Sequence, residues 1–258
     1  LASLNTRAVK EGDHYRVNGS KMWTSDATLC DYIFVLVRTS PEKPKHEGIS
    51  LMLVDMRQPG VTVSPIQLIS GASPFCETHF SDAVVPLDDV IGGLDRGWTV
   101  GKRLLQFERS THAGINISGS QGGRSEKSQM PALVARYVSS QSGQLTDPAL
   151  RRWLTEFEMN SHAQRITQRR AIEELSSRAP GFTSSAVKLT NALNIQDGDE
   201  LLVAAMGSQG LRWDPETADA EELAALQKWL YQKSLTIAGG TKEVQLNIIA
   251  KRVLGLPD

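Results

Sequence analysis

The spacing of apolar and polar positions changes near Gly97. Before that residue, short apolar runs alternate with turn residues, which is typical of β-strands. After it, apolar residues recur at three- and four-residue spacing, which is typical of amphipathic helices. The pattern predicts an α+β fold, with a small β domain (barrel or sandwich) over residues 1–94 and an antiparallel helical bundle over residues 95–258.

Turn signals divide the first part into candidate strands. Tight turns are expected at residues 11–13 and at Asn18-Gly19, because Asn-Gly favours the positive φ angles of a hairpin turn. The uninterrupted apolar run over residues 32–37 predicts a strand that is buried on both faces. Further strands are expected over residues 49–55 and 61–66.

Helix-start signals organise the second part. Asp147 followed by Pro148 is typical of an N-cap and a first helical position, and the helix it predicts ends near residue 178. Further helices are expected from residue 182 to Gly207 and from Asp219. The long helix carries more apolar residues than one stripe needs, which predicts a dimer or tetramer built through these helices.

Composition excludes several classes of partner. A net charge of −1 and a pI near 6.6 give no reason to expect nucleic acid, and no apolar run is long enough to insert in a membrane. Cys30 and Cys76 lack motif spacing, so we expect buried or half-buried thiols in a reducing compartment. The five histidines lack ligand spacing, so no metal site is expected, and no signal peptide is recognised.

The segment Ala238-Gly239-Gly240-Thr241 precedes an amphipathic stretch. Glycine lets a backbone approach a ligand closely, Thr241 can cap the helix, and the first free N–H groups attract oxygen ligands. We therefore expect a ligand-binding helix start here.

Two other segments carry candidate chemistry. Trp23, Thr24 and Ser25 could stack on a planar cofactor and donate hydrogen bonds to its edge, or form a strand with a core tryptophan and a hydroxyl turn. Glu108 falls on the apolar face of a predicted helix. It is either a solvated partner of Arg109 or a carboxylate that faces a ligand.

Several strings resemble the acyl-CoA dehydrogenases, in the order in which that family has them. They run from Asn18-Gly-Ser-Lys-Met-Trp-Thr-Ser to the Gly-Gly-Thr segment, and the resemblance covers essentially the whole chain. It implies the family's middle β domain and C-terminal helical domain, and we expect the family's N-terminal helical domain to be missing from this sequence. It also implies α,β-dehydrogenation of an acyl-CoA thioester with FAD as cofactor.

The resemblance assigns roles to individual residues. Many members have a catalytic glutamate where this chain has Gly239. The Leu-x-x-Glu-Arg string around Glu108 resembles the isovaleryl-CoA dehydrogenases, in which that glutamate is the base. Some bacterial enzymes of sterol side-chain degradation have the same arrangement. Trp23 and Ser25 would lie against the flavin, with Ser25 near N5, which accepts the hydride.

The remaining implied contacts complete the expected site. The Gly239 N–H would bind the thioester carbonyl, and Arg109 would lie near the CoA adenine. The resemblance also implies cofactor contacts from Thr24, Gly207, Gln209, Thr241 and Glu243, and a substrate contact from Gly240.

One departure and two alternatives remain. The family's Arg-x-Thr-Phe flavin motif should lie near residues 139–142, where this chain has Ser-Ser-Gln-Ser, so a different subunit could complete the flavin site. The chain could instead be a non-catalytic subunit, or a flavin-dependent monooxygenase on the same fold. The resemblance also implies a role in lipid catabolism, electron-transfer flavoprotein as electron acceptor, a homotetramer, and a cytoplasmic (bacterial) or mitochondrial matrix (eukaryotic) location.

Overall fold

A computed structural model describes residues 2–112, 128–138, 144–176 and 183–257, apart from the side chains of 106, 107, 109–112, 175 and 176. The chain forms two compact units, Leu1–Gln106 and Phe107–Asp258. The strands are β1 (Arg7–Glu11), β2 (His14–Ser25), β3 (Tyr32–Arg38), β4 (Ile49–Asp55), β5 (Val61–Ile66), β6 (Phe75–Pro86) and β7 (Val90–Ile91). The helices are α1 (Gly97–His112), α2 (Met130–Val138), α3 (Pro148–Ser176), α4 (Thr183–Met206), α5 (Ala220–Gln232) and α6 (Lys242–Ile248).

The predicted α+β class is therefore confirmed, with the first helix beginning at Gly97. A π-helical segment, Ile249–Val253, follows α6. The expected domain boundary between residues 94 and 95 stays a prediction, since α1 crosses the point where the two compact units divide.

The seven strands form one mixed sheet in the order β5-β6-β2-β1-β3-β4-β7. All neighbours pair antiparallel except β1 and β3, which are parallel. Strands β4 and β6 pack together, although in a flat sheet four strand spacings of about 4.8 Å would separate them. The sheet is thus strongly curled around its own apolar core, which includes Val17, Val37, Met52, Val54 and Val85.

The Asn18-Gly19 dipeptide is not a turn. Strand β2 continues through it, and the turn lies at Gly12, which has φ +60°. The Asn18 side chain instead bonds Asp82 twice, donating to its carboxylate at 2.9 Å and accepting from its N–H at 2.9 Å. The predicted hairpin was wrong because Asn18 opposes an irregularity in β6, where Asp82 has φ +53°.

Strand β3 is not buried on both faces. Its side chains alternate, with Val35 and Val37 in the core and Tyr32 and Phe34 at least half exposed in this chain. The prediction was wrong because β3 pairs antiparallel with β4, and such sheets commonly pack only one face on the core.

The helical unit has its own core. Asp147 caps α3 as predicted, and its Oδ1 accepts from the N–H of Ala149 at 2.7 Å. The core of this unit is apolar and comprises Val134, Leu154, Phe157, Leu201 and Ala205. Helix α4 lies at the centre, since it packs against α2, α3, α5 and α6.

The two cysteines differ in exposure. Both are free thiols, but only Cys76 is buried, and Cys30 is exposed, contrary to expectation. Cys30 lies in the turn between β2 and β3, whereas Cys76 lies inside β6. Among the described residues, no helix is long and apolar enough to cross a membrane.

Candidate active site

Trp23 lies in a β-bulge of β2. Lys21 pairs with Thr78 and Thr24 with Cys76, so two residues of β2 oppose one residue of β6. Trp23 has φ +66°, a left-handed conformation that is an outlier for a bulky side chain. Its side chain is 57% exposed, so the alternative of a core tryptophan is wrong.

Contacts from β6 hold this strand end in place. The Trp23 ring meets Phe75 edge to face, with 6.1 Å between ring centroids. The Thr24 hydroxyl donates to the Cys76 carbonyl at 2.9 Å and lies 2.8 Å from the Thr78 hydroxyl. The Thr24 hydroxyl has one proton and donates it to the Cys76 carbonyl, so it accepts a hydrogen bond from the Thr78 hydroxyl. Both of these Thr24 hydrogen bonds are made to β6. Ser25, the next residue, is exposed.

Glu108 lies in the last turns of α1 and is half-buried. The apolar residues one turn before it are partly open, with Leu104 38% and Leu105 36% exposed. Among the described residues, the apolar face on which Glu108 lies is therefore only partly covered. The side chain of Arg109 lies outside the described residues, as do residues 139–142, where the flavin motif was expected.

The loop at residues 207–210 ends α4. Gly207 has φ +58° and no neighbour where a side chain would begin, which is the geometry of a glycine C-cap. Gly210 is buried, and a Cβ there would lie 2.9 Å from the Val203 carbonyl oxygen. Gln209, the predicted cofactor contact, lies between these two glycines and is half-buried.

The Gly-Gly-Thr segment begins α6, as predicted. Thr241 is the N-cap, and its hydroxyl accepts from the Val244 N–H at 3.3 Å. Gly239 has φ +64° and Gly240 has φ +97°. The pKa of the exposed Glu243 carboxyl is lowered by hydrogen bonds from its own N–H and from Thr241.

Two side chains that the sequence analysis missed hold this segment, hereafter the glycine loop (residues 239–241). Lys188 Nζ donates to the Gly240 carbonyl at 2.6 Å and to the Leu235 carbonyl at 3.1 Å. Gln245 Nε2 donates to the Gly239 carbonyl at 3.1 Å. The only sequence signal was a charged residue in the apolar run Ala186-Val187-Lys188-Leu189, which carries no motif.

Two family models match consecutive parts of the chain. Residues 1–83 match "Acyl-CoA dehydrogenase, middle domain", and residues 95–254 match "Acyl-CoA dehydrogenase, C-terminal domain". The chain belongs to the acyl-CoA dehydrogenase family. The resemblance drawn from the sequence is confirmed, and so is the fold it implied.

Named relatives match the chain from end to end. It is 35% identical to the acyl-CoA dehydrogenase IpdE1 of Mycobacterium tuberculosis, over 100% of this chain and 63% of that protein. Among solved structures, the Tcur3481-Tcur3483 steroid ACAD has a TM-score of 0.84 at 30% identity, covering 99% of this chain and 64% of that one. The ChsE4-ChsE5 complex from Mycobacterium tuberculosis has a TM-score of 0.78 at 25% identity, covering 100% and 65%.

The chain therefore spans somewhat less than two thirds of the length of these relatives. The matched parts are the middle and C-terminal domains of this acyl-CoA dehydrogenase family member.

Proposed function

We propose that the protein acts as a flavin-dependent acyl-CoA dehydrogenase that removes hydrogen from the α and β carbons of an acyl-CoA thioester. The observation that carries the proposal is Trp23, an exposed aromatic side chain in a strained backbone conformation. Such strain costs on the order of 1–3 kcal/mol, and residues that keep it cluster at ligand sites. Family membership supports the same reaction.

The residues at the end of β2 fit the ring of FAD. Trp23 offers an apolar face, and Ser25 offers an exposed hydroxyl that can donate to a ring nitrogen. Thr24 supports both neighbours through β6. A bound flavin would supply the oxidant, accepting the hydride from the β carbon. Gly207, Gln209, Thr241 and Glu243 are further proposed cofactor contacts.

Glu108 is proposed as the base that takes the α proton. A base working near neutral pH needs a carboxyl pKa above its ordinary value, and loss of water around the group produces that shift. Since Leu104 and Leu105 are partly open in this chain, the acyl group or cofactor would have to supply the missing cover. This predicts that the half-buried Glu108 is fully desolvated only in the loaded enzyme.

The glycine loop is proposed to polarise the thioester. An N–H donor on the carbonyl oxygen stabilises the negative charge that develops there when the α proton leaves. The Gly239 N–H is the proposed donor, with Gly240 beside it and Arg109 near the CoA adenine. A backbone donor does not depend on the side chain, so glycine can replace glutamate here without loss of this function.

The assembly and the acyl group are also proposals. Two similar structures carry paired names, Tcur3481-Tcur3483 and ChsE4-ChsE5, which supports a partner subunit for this chain. A partner subunit could also supply the flavin contacts of the Arg-x-Thr-Phe motif, which this chain lacks at residues 139–142. Because one of them is described as a steroid ACAD, we propose a bulky acyl group. Electron-transfer flavoprotein is the proposed acceptor.

Anaerobic titration of the purified intact protein with acyl-CoA thioesters tests the reaction. We expect flavin absorbance in the purified protein and its bleaching by acyl-CoA. Absence of flavin would favour a non-catalytic subunit. A flavin that no acyl-CoA reduces, but that reacts with oxygen in turnover, would favour a monooxygenase.

A further inference from the structure

Lys188 is a buried lysine that the proposed chemistry leaves unused. It lies on α4, is 2% exposed, and its pKa is lowered by burial. Among the described residues, no carboxylate forms an ion pair with it. Its ammonium group is held by two backbone carbonyls, those of Leu235 and Gly240. Burying a lysine without a carboxylate partner costs free energy of folding, which indicates that Lys188 has a specific role at this position.

The two carbonyls lie at either end of the segment that contains Gly239. One ammonium group therefore ties both ends of this segment to the central helix α4. Gln245, which is 1% exposed, holds the Gly239 carbonyl between them. The carbonyls of Gly239 and Gly240 thus both face side chains of the protein interior.

Holding a carbonyl also sets the direction of the next N–H, because the two groups are antiparallel in a trans peptide. The Gln245 contact therefore directs the Gly240 N–H, and the Lys188 contact directs the Thr241 N–H. In the part of the chain that the structure describes, the N–H groups of Gly239, Gly240 and Thr241 have no hydrogen-bond acceptor. Within those described residues, the glycine loop therefore has three backbone N–H groups that are available as donors.

We propose that Lys188 is a positioning residue that holds the glycine loop in the conformation that presents these donors to the carbonyl oxygen of an acyl thioester. The inference rests on the proposed function for the identity of the ligand. The anchoring of the loop itself rests only on the contacts of Lys188. Gln245 acts with it, but binds only the middle of the segment.

Two variants separate positioning from general stability. Lys188→Met keeps the length and bulk of the side chain and removes every donor. Val187→Ala, the matched control, opens a cavity at the neighbouring buried position of α4 without touching the loop carbonyls. If Lys188→Met does not fold, Lys188→Gln replaces it, because glutamine is polar but too short to reach both carbonyls.

The first readout compares two ligands on the intact oxidised enzyme: an acyl-CoA and its thioether analogue, which lacks the carbonyl oxygen. We expect the preference for the acyl-CoA to fall about tenfold or more in Lys188→Met, and flavin reduction to slow by about 10- to 100-fold. Val187→Ala should keep the wild-type preference. An unchanged preference in Lys188→Met, or an equal fall in Val187→Ala, would overturn the proposal.

The second readout does not depend on the reaction. The N–H groups of Ile237 and Ala238 lie inside the segment 235–240 that Lys188 ties at both ends, and both bond the carbonyl of Ser234, just before it. Hydrogen exchange of these two N–H groups should accelerate at least about tenfold in Lys188→Met. It should accelerate less in Val187→Ala when the two variants are compared at the same global free energy of unfolding. If the wild type does not distinguish thioester from thioether, the proposed function fails, and this exchange alone decides whether Lys188 anchors the loop. Equal exchange in both variants would reject the anchoring.

Discussion

At the residue scale, the strained conformation of Trp23 depends on its partners. The bulge is set by the pairing of Lys21 with Thr78 and of Thr24 with Cys76, and the ring is placed by Phe75. Sequence reasoning identified Trp23 as a candidate but could not give its φ angle, since that angle follows from register with a strand about 50 residues away. The N-cap role of Thr241 was easier to predict from the sequence, because a cap is a local interaction.

Replacing Trp23 with glycine should separate stability from cofactor binding. Glycine adopts φ +66° without strain, which offsets much of the lost contact with Phe75, so the free energy of unfolding should stay within about 1 kcal/mol of wild type. Flavin affinity should fall at least about tenfold. Trp23→Phe is the control, because it keeps an aromatic ring and the strained positive φ angle at residue 23. It should retain flavin. If Trp23→Gly lowered the free energy of unfolding by more than about 3 kcal/mol, as loss of a core aromatic side chain does, the account would be contradicted.

Lys21 should make stability depend on pH. Burial of this half-buried side chain lowers its pKa to about 8, from an ordinary value of 10.5. Between these values the unfolded chain binds a proton that the folded chain has lost, so the free energy of unfolding rises with pH. The free energy of unfolding of Lys21→Met should therefore exceed that of the wild type most below about pH 8. This difference should narrow as the pH rises toward 10.5. Urea unfolding of both proteins across this range measures the gap, and parallel curves would contradict the account.

At the scale of elements, local signals predicted most helix starts and several strands. Asp147-Pro148, Asp219 and Thr241 each begin a helix because a cap acts within one turn. The Asn18-Gly19 turn failed because the same residues serve a bulge when a neighbouring strand is present. The role of Lys188 was not predictable, since the carbonyls it binds lie more than 40 residues further along the chain.

Two helix glycines should respond oppositely to alanine. A Cβ at Gly198 of α4 would lie 2.7 Å from the Phe157 ring of α3, so Gly198→Ala should lower the free energy of unfolding by about 1–3 kcal/mol. A Cβ at Gly101 of α1 would meet Leu36 at an ordinary 3.4 Å, so Gly101→Ala should be neutral or raise it by up to about 1 kcal/mol. Chemical denaturation measures both, and an equal effect at the two positions would contradict the packing.

At the scale of the whole molecule, α3 carries apolar side chains that this chain leaves open. Met159 is 66% and Ile166 53% exposed, and they lie seven residues apart on one face of the helix. We therefore predict that the intact protein is a dimer or tetramer, alone or with a partner chain. Ile166→Lys should lower the mass measured by light scattering, because a buried lysine without a carboxylate opposes assembly. A wild-type protein at monomer mass would contradict this prediction.

The catalytic role of Glu108 is the central claim, and single-turnover flavin reduction by acyl-CoA tests it most directly. Glu108→Gln should leave flavin bound while reduction slows by about two orders of magnitude or more, as expected for the loss of a general base. Glu173→Gln, an exposed glutamate on α3, is the matched control and should reduce at the wild-type rate. Reduction of Glu108→Gln at the wild-type rate would contradict the assignment of the base.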